Sequence, residues 1–256
     1  MKLGIIGGSG LDDPSLLKDA EDLNLDTPWG SPSSPIRQGM LNGLEVCFLS
    51  RHGREHTLPP SFINNRANLH ALKSLGCTGV LATAACGSLR AEMDRGHLVI
   101  PDQFIDFTRR REVTFFDQFE PGIMNARHVP MADPFDAELR STLIQSANEV
   151  EASCHPEGTL LTIEGNRFST RAESRMFRSW GADLVNMTVA PEVILANECG
   201  LPYAAVAVVT DFDSWKTDEP PLEVADLIRV FGENVATLNQ VLVKAMEKLR
   251  DGPSRT

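Results

Sequence analysis

Along the chain, short apolar runs alternate with segments whose apolar residues recur every three or four positions, the pattern of strands and helices succeeding one another. Lys2 to Ile6 is a short apolar run closed by Gly7-Gly8-Ser9-Gly10, a buried strand entering a tight glycine loop. Ile36 to Leu41 and Leu44 to Ser50 flank Asn42-Gly43, so two antiparallel strands joined by a hairpin turn are expected. Ser61 to Leu75 follows Pro59-Pro60 and predicts a helix that stops before Gly76; Cys77 to Ala85 then reads as a central strand covered on both faces. Further strands are expected at His97–Pro101, Gly158–Ile163, Asp183–Met187 and Pro202–Val209, and helices at Asp136–Val150, Arg171–Trp180 and Pro191–Cys199. From Val224 to Leu249, apolar residues spaced mostly by three and four mark one face of a long helix, with a frayed tail from Asp251 to Thr256. Neither a linker nor an internal repeat divides the alternation. One α/β domain spanning residues 1–256 is the economical reading, its sheet mostly parallel with antiparallel pieces.

Composition narrows the partners. With 24 Lys+Arg against 35 Asp+Glu the chain carries a formal charge of −11, which argues against nucleic-acid and anionic-membrane surfaces. No apolar run approaches a membrane span, and the opening MKLGIIGGSG is too short and glycine-rich for a secretory core, so a cytoplasmic address is expected. Five scattered cysteines without a CxxC pair suit free thiols in a reducing compartment.

Three places concentrate chemistry. The glycine loop after the first strand invites a dinucleotide reading, but counting from Gly8 the third fingerprint glycine falls on Asp13, and no Walker lysine follows. What survives is a loop whose backbone N–H groups and Ser9 hydroxyl suit an anion, or else a plain strand-ending turn. In Arg51-His52-Gly53-Arg54-Glu55-His56, the two-histidine spacing lacks the helix and the glutamate of a zinc motif. An arginine at a strand end fits anion capture better, a solvated charged loop being the alternative. Finally, Gly87-Ser88, Met187-Thr188 and Thr210-Asp211 are strand ends that should face one crevice, with Asp211 and Asp213 pointing the same way if the strand persists; each end taken alone could be a turn cap.

The blocks GIIGGSGLDD, LSRHGREHT, TAACGSL, IPDQFIDFT, HVPMADPF, TIEGNRFSTRAESRMFRSWGADLVNMT and TDFDSWK, in that order over nearly the whole chain, resemble the methylthioadenosine phosphorylases of the purine nucleoside phosphorylase superfamily. The resemblance implies a single-domain purine nucleoside phosphorylase-like α/β fold, a central mixed β-sheet partly closed into a barrel and flanked by helices, in a homotrimer. It implies no metal or organic cofactor. Inorganic phosphate would be the co-substrate that converts 5′-methylthioadenosine to adenine and 5-methylthioribose 1-phosphate. The phosphate ligands it implies are Ser9, Arg51, the His52 backbone, Ala84, Ala85 and Thr188; the family carries a hydroxyl where this chain has Ala84, and commonly Thr where it has Ser9. Met187 is the implied ribose contact, and Phe168, with Ser169 on the same loop, lies against the base. Asp211 and Asp213 read adenine, one as a protonated carboxyl donating to N7 and one as a carboxylate accepting from the amino group. Val224, Leu227 and Ile228 would surround the methylthio group, with His128 arriving from a neighbouring subunit, though aliphatics on a helix face are more often core. Asn166 stands where the family has proline. Rival expectations are a nucleoside-binding protein with weakened use of phosphate and a 6-oxopurine nucleoside phosphorylase.

Overall fold

The computed structural model describes residues 1–7, 17–117, 128–218 and 224–252, apart from the side chains of Val224 and Leu227. One mixed sheet runs β2(Lys18–Leu23), β3(Ile36–Leu41), β4(Leu44–Ser50), β1(Lys2–Gly7), β5(Gly79–Ser88), β10(Leu184–Asn186), β9(Thr159–Ile163), β7(Gln103–Phe107). Strand β5 is the branch point, since β11(Tyr203–Phe212) also pairs with it and carries β6(Leu98–Val99), to which β8(Cys154–His155) is joined. The pairings form a branched path among the described strands rather than a complete ring.

Strand β11 explains how the layers form. Its residues are apolar on both faces, so Tyr203, Ala205, Ala207 and Val209 pack to one side while Ala204, Val206 and Val208 pack to the other. The first side is closed by Leu69 and Leu72 of α1(Asn65–Ser74) and Val193 and Leu195 of α4(Val189–Glu198). The second is closed by Leu139 and Leu143 of α2(Ala137–Glu149) and by Leu238, Val241, Leu242 and Ala245 of α5(Val224–Asp251). A smaller cluster beneath α3(Arg171–Ser179) joins Phe177 to Leu161 and Val185.

The predicted elements are present, with corrections at their ends. The helix expected from Ser61 begins at Asn65, because Asn64 caps it by accepting from the Ala67 N–H while Pro60–Phe62 form a separate 3-10 turn. Helix α4 starts two residues before Pro191, and β5 and β11 run three residues past their expected ends. The strand expected over His97–Pro101 shrinks to Leu98–Val99. Strands β2, β7 and β8 were not expected at all; β2 (KDAEDL) is a polar edge paired only with β3, without the apolar alternation that marks a strand.

Helix α3 starts with a reciprocal box in which Thr170 accepts from the Glu173 N–H and Glu173 accepts from the Thr170 N–H. Thr170→Ala is expected to cost about 1 kcal/mol, a fall in Tm of about 2–4 °C for a domain of this size, measurable by calorimetry.

Candidate active site

A cavity of about 650 Å³ opens where β5, β10, β11 and the start of α5 meet. Arg51, just past β4, lies on it yet is only 2 % exposed. Its guanidinium grips Glu192 through both Nε and Nη2, the latter at 3.0 Å, while Nη1 donates to the Thr83 carbonyl at 2.8 Å. Glu192 is fully buried and also accepts from the Tyr203 hydroxyl at 2.7 Å. Burial opposes the charge on Arg51, but Glu192 beside it holds its pKa above the ordinary value. Burial, reinforced by Glu192, raises the Tyr203 phenol far above its own, so the phenol stays a donor. An arginine has five N–H bonds; three are spent on this frame, and two remain for an anion.

Thr188 is the N-cap of α4, but its side chain makes no capping bond and lines the cavity instead. A helix N-terminus and a hydroxyl that does not cap it thus line the cavity together with Arg51, a donor set suited to a small anion. His52 is neutral: burial first, then the Arg51 charge, push its pKa down to about 4, and its Nδ1–H donates to the Leu58 carbonyl at 2.8 Å.

The acidic end forms around Gly87. A Cβ there would sit 3.0 Å from Asp211 Oδ2 and press on that carboxylate, and 3.5 Å from Asp213 Cβ, an ordinary contact, so glycine keeps Asp211 in its place with Asp213 alongside. A register shift between Val209 and Asp211 sets Thr210 apart, and its hydroxyl donates to Asp211 Oδ1 at 2.8 Å. Asp213 lies just beyond β11, not within it, yet both acids line the cavity. Burial raises the Asp213 pKa, with Ser174 and the Ser214 amide opposing less strongly. Thr83, beside Arg51, and Gly87, beside the acids, are four residues apart on β5, about 13 Å of strand.

Of eight buried side-chain N or O atoms without a partner among the described residues, four belong to this cavity: Thr83 Oγ1, Ser169 Oγ, Asn186 Nδ2 and Asp213 Oδ2. Folded proteins rarely strand such groups, and their clustering marks a place built for polar contacts with a ligand. Asn186 is fixed because its Oδ1 accepts from the Thr162 hydroxyl at 2.8 Å, leaving the amide N–H bonds to the cavity.

Among the residues expected from sequence, Arg51, His52, Ala84, Ala85, Phe168, Ser169, Met187, Thr188, Asp211, Asp213 and Ile228 all line this one cavity. Ile228 is 58 % exposed, so it is not core. Ser9 falls outside the described residues, as do the side chains of Val224 and Leu227. His128 lines a separate groove with Phe104, Phe116, Met131 and Ile194. Thr83, Asn186, Glu192 and Tyr203 escaped the sequence reading, since each looks like an ordinary strand or helix position. No group of three potential metal-ligating side chains occurs among the described residues, and none of their helices is long and apolar enough to cross a membrane.

Comparison with known proteins gives consistent neighbours. The model of the Phosphorylase superfamily matches residues 2–247. The S-methyl-5′-thioadenosine phosphorylase of Xenopus tropicalis is 48 % identical over 250 residues, covering 97 % of this chain and 89 % of that one. That of Drosophila melanogaster is 46 % identical over 249 residues, covering 97 % and 86 %. The solved methylthioadenosine phosphorylase from Schistosoma mansoni in complex with adenine has a TM-score of 0.93 and 41 % identity, covering 99 % of this chain and 93 % of that one.

Two outcomes follow from the geometry. Glu192→Gln leaves the Arg51 charge buried without its counter-charge and is expected to cost about 3–5 kcal/mol, on the order of 10 °C in Tm; an unchanged Tm would contradict the pairing. A carboxyl whose native pKa is raised weakens the fold as pH climbs through the interval above its ordinary 3.8. Asp213→Asn is therefore expected to raise the ligand-free Tm at neutral pH and to leave it unchanged well below pH 3.8, read from melting curves across pH.

Proposed function

The chain belongs to the phosphorylase superfamily, and from that membership we propose that its cavity carries out the phosphorolysis of 5′-methylthioadenosine to adenine and 5-methylthioribose 1-phosphate. The observation that carries the reading is the division of one cavity into an anion end, with Arg51 and Thr188, and a carboxyl end, with Asp211 and Asp213. Phosphate held at the first end attacks C1′ of the ribose while the glycosidic bond to the base breaks, and positive charge gathers on the sugar. Positioning the anion beneath C1′ replaces a bimolecular encounter with an oriented one, and the bound phosphate stabilises the developing cation. The departing purine takes a proton at N7. Burial raises the Asp213 pKa, so a carboxyl at this end can hold a proton to donate while a carboxylate beside it accepts from the 6-amino group. Phe168 and Met187 line the same cavity and are proposed to face the base and the ribose.

Ala84 has no hydroxyl for the anion, and one charge-assisted hydrogen bond is worth roughly 1.5 to 3 kcal/mol. Phosphate affinity is accordingly expected to be modest. Inorganic phosphate is the only co-substrate in this reading, with no resident metal or organic cofactor. The proposed assembly is a homotrimer, in which His128, which does not line the cavity of its own chain, reaches the 5′ substituent of a neighbour's substrate; a sedimentation mass near that of one chain would refute it. The proposed location is the cytoplasm, where the five free cysteines would stay reduced.

Adenine release from methylthioadenosine should rise with phosphate concentration through the millimolar range, and its absence there would leave only a nucleoside-binding protein. Adenosine should be cleaved in preference to inosine. Asp213→Asn is expected to slow release by 10²- to 10⁴-fold, the usual worth of a general acid, and to narrow that preference.

A further inference from the structure

Four chain segments remote in sequence are joined by two side chains, Glu164 and Arg111, that do not line the cavity. Glu164, the residue after β9, accepts from the Ser61 hydroxyl at 2.7 Å and from Arg111 Nε at 2.8 Å through Oε1. Its Oε2 accepts from the backbone N–H groups of Arg109 at 2.7 Å and Arg110 at 3.0 Å. Arg111, whose side chain is 1 % exposed, also donates through Nη2 to the Glu164 carbonyl at 2.6 Å and to the Met187 carbonyl at 3.2 Å. One planar guanidinium therefore holds both the Glu164 and the Met187 backbones, and one carboxylate holds the Ser61 loop and the 109–110 backbone.

Three of these segments continue directly into a cavity wall: Pro59 and Pro60 precede Ser61, Ile163 and Asn166 flank the Glu164 position, and Met187 itself lines the cavity. The fit between them is close. A Cβ on Gly165 would lie 2.8 Å from Met187 Sδ and 3.7 Å from Pro60 Cβ, so the three walls touch with no side chain intervening. Burial opposes ionisation of Glu164, but Arg111, the Arg109 amide and Ser61 together bring its pKa down to about 2. The clamp consequently stays charged at every pH at which a folded enzyme would be assayed.

We propose that Arg111 and Glu164 are positioning residues that fix the sugar-side wall of the cavity, Met187 with the Pro59–Pro60 loop, and so set how tightly the nucleoside is held. The inference rests on the functional reading above, because it takes Met187 as the ribose neighbour. It separates the two ends of the substrate: the base sits at the Asp211/Asp213 end, to which the clamp makes no bond, whereas the sugar sits at the wall the clamp holds. Loosening the clamp should weaken nucleoside binding and spare adenine binding. A lysine at 111 keeps the charge but, with one ammonium on a flexible stem, cannot reproduce a fork that reaches Glu164 twice and Met187 once.

The test is calorimetric titration of the wild-type chain, Arg111→Met, Arg111→Lys and Glu164→Gln with adenine and, separately, with methylthioadenosine in phosphate-free buffer, with steady-state kinetics alongside. The expected result is a loss of at least tenfold in methylthioadenosine affinity in Arg111→Met and Arg111→Lys, with adenine affinity within twofold. KM for the nucleoside should rise by a similar factor while kcat changes little, the signature of lost uniform binding. Glu164→Gln should show the same split, and it serves as the second variant should Arg111→Met fold poorly. Unchanged nucleoside affinity, equal weakening of both ligands, or full rescue by lysine would overturn the clamp. A wild-type chain that bound neither ligand would instead overturn the functional reading on which the clamp rests.

Discussion

The ion pair between Arg51 and Glu192 is the constraint around which the rest is arranged. Both groups are taken out of water, Arg51 to 2 % exposure and Glu192 completely, and such burial costs several kcal/mol per ion unless geometry repays it. Here the repayment is a two-pronged contact, completed by the Tyr203 hydroxyl on Glu192 and the Thr83 carbonyl on Arg51. These four residues lie just past β4, in the first turn of α4, at the start of β11 and in the middle of β5. The pair thus cross-links the elements that make the sheet and its covering helix. Well-packed apolar residues often match or exceed the stability of a buried ion pair. Its presence at the wall of the cavity makes sense as orientation: Glu192 consumes the inward edge of the guanidinium, and the remaining N–H bonds can meet an anion.

Strand β5 then sets the scale of the site. It pairs with β1, β10 and β11, and its small residues, from Ala82 to Gly87, leave space for a ligand against the backbone. Arg51 grips it at Thr83, and the acids crowd it at Gly87. An anion and an electron-rich purine can be held at the two ends with a ribose between them. The net charge of −11 gives no hint of this, because a small anion responds to local donors and not to the total. Part of the acidic excess, Asp211 and Asp213, belongs to the opposite end of the same cavity.

What could be read from sequence follows from how local each signal is. The Asn42-Gly43 hairpin, the apolar strands β5 and β11 and the amphipathic α5 announce themselves through turn chemistry and periodicity. Strand β8, two residues long, and the polar edge β2 have no such pattern; their pairing partners create them. Arg51, Thr188 and the two acids were legible because strand ends collect ligands in α/β sheets. Glu192 was not, since a glutamate in the first turn of a helix is normally a solvent-facing complement to the dipole. Only tertiary packing reveals that it is buried against an arginine 141 positions away. Asn186, Thr83 and the Arg111–Glu164 clamp were hidden for the same reason, and the family blocks pointed mostly to residues that line the cavity, not to those that hold its walls in place.

How Arg51 presents its remaining N–H bonds decides how well the cavity holds an anion. Phosphate binding to the wild-type chain and to Arg51→Lys, titrated by calorimetry beside adenine binding, tests it. Lysine retains the positive charge for Glu192 but cannot both grip that carboxylate at two points and offer further N–H bonds in a fixed plane. The predicted result is a folded variant whose phosphate affinity falls more than tenfold while its adenine affinity stays within twofold. Undiminished phosphate binding in the lysine variant would contradict the account.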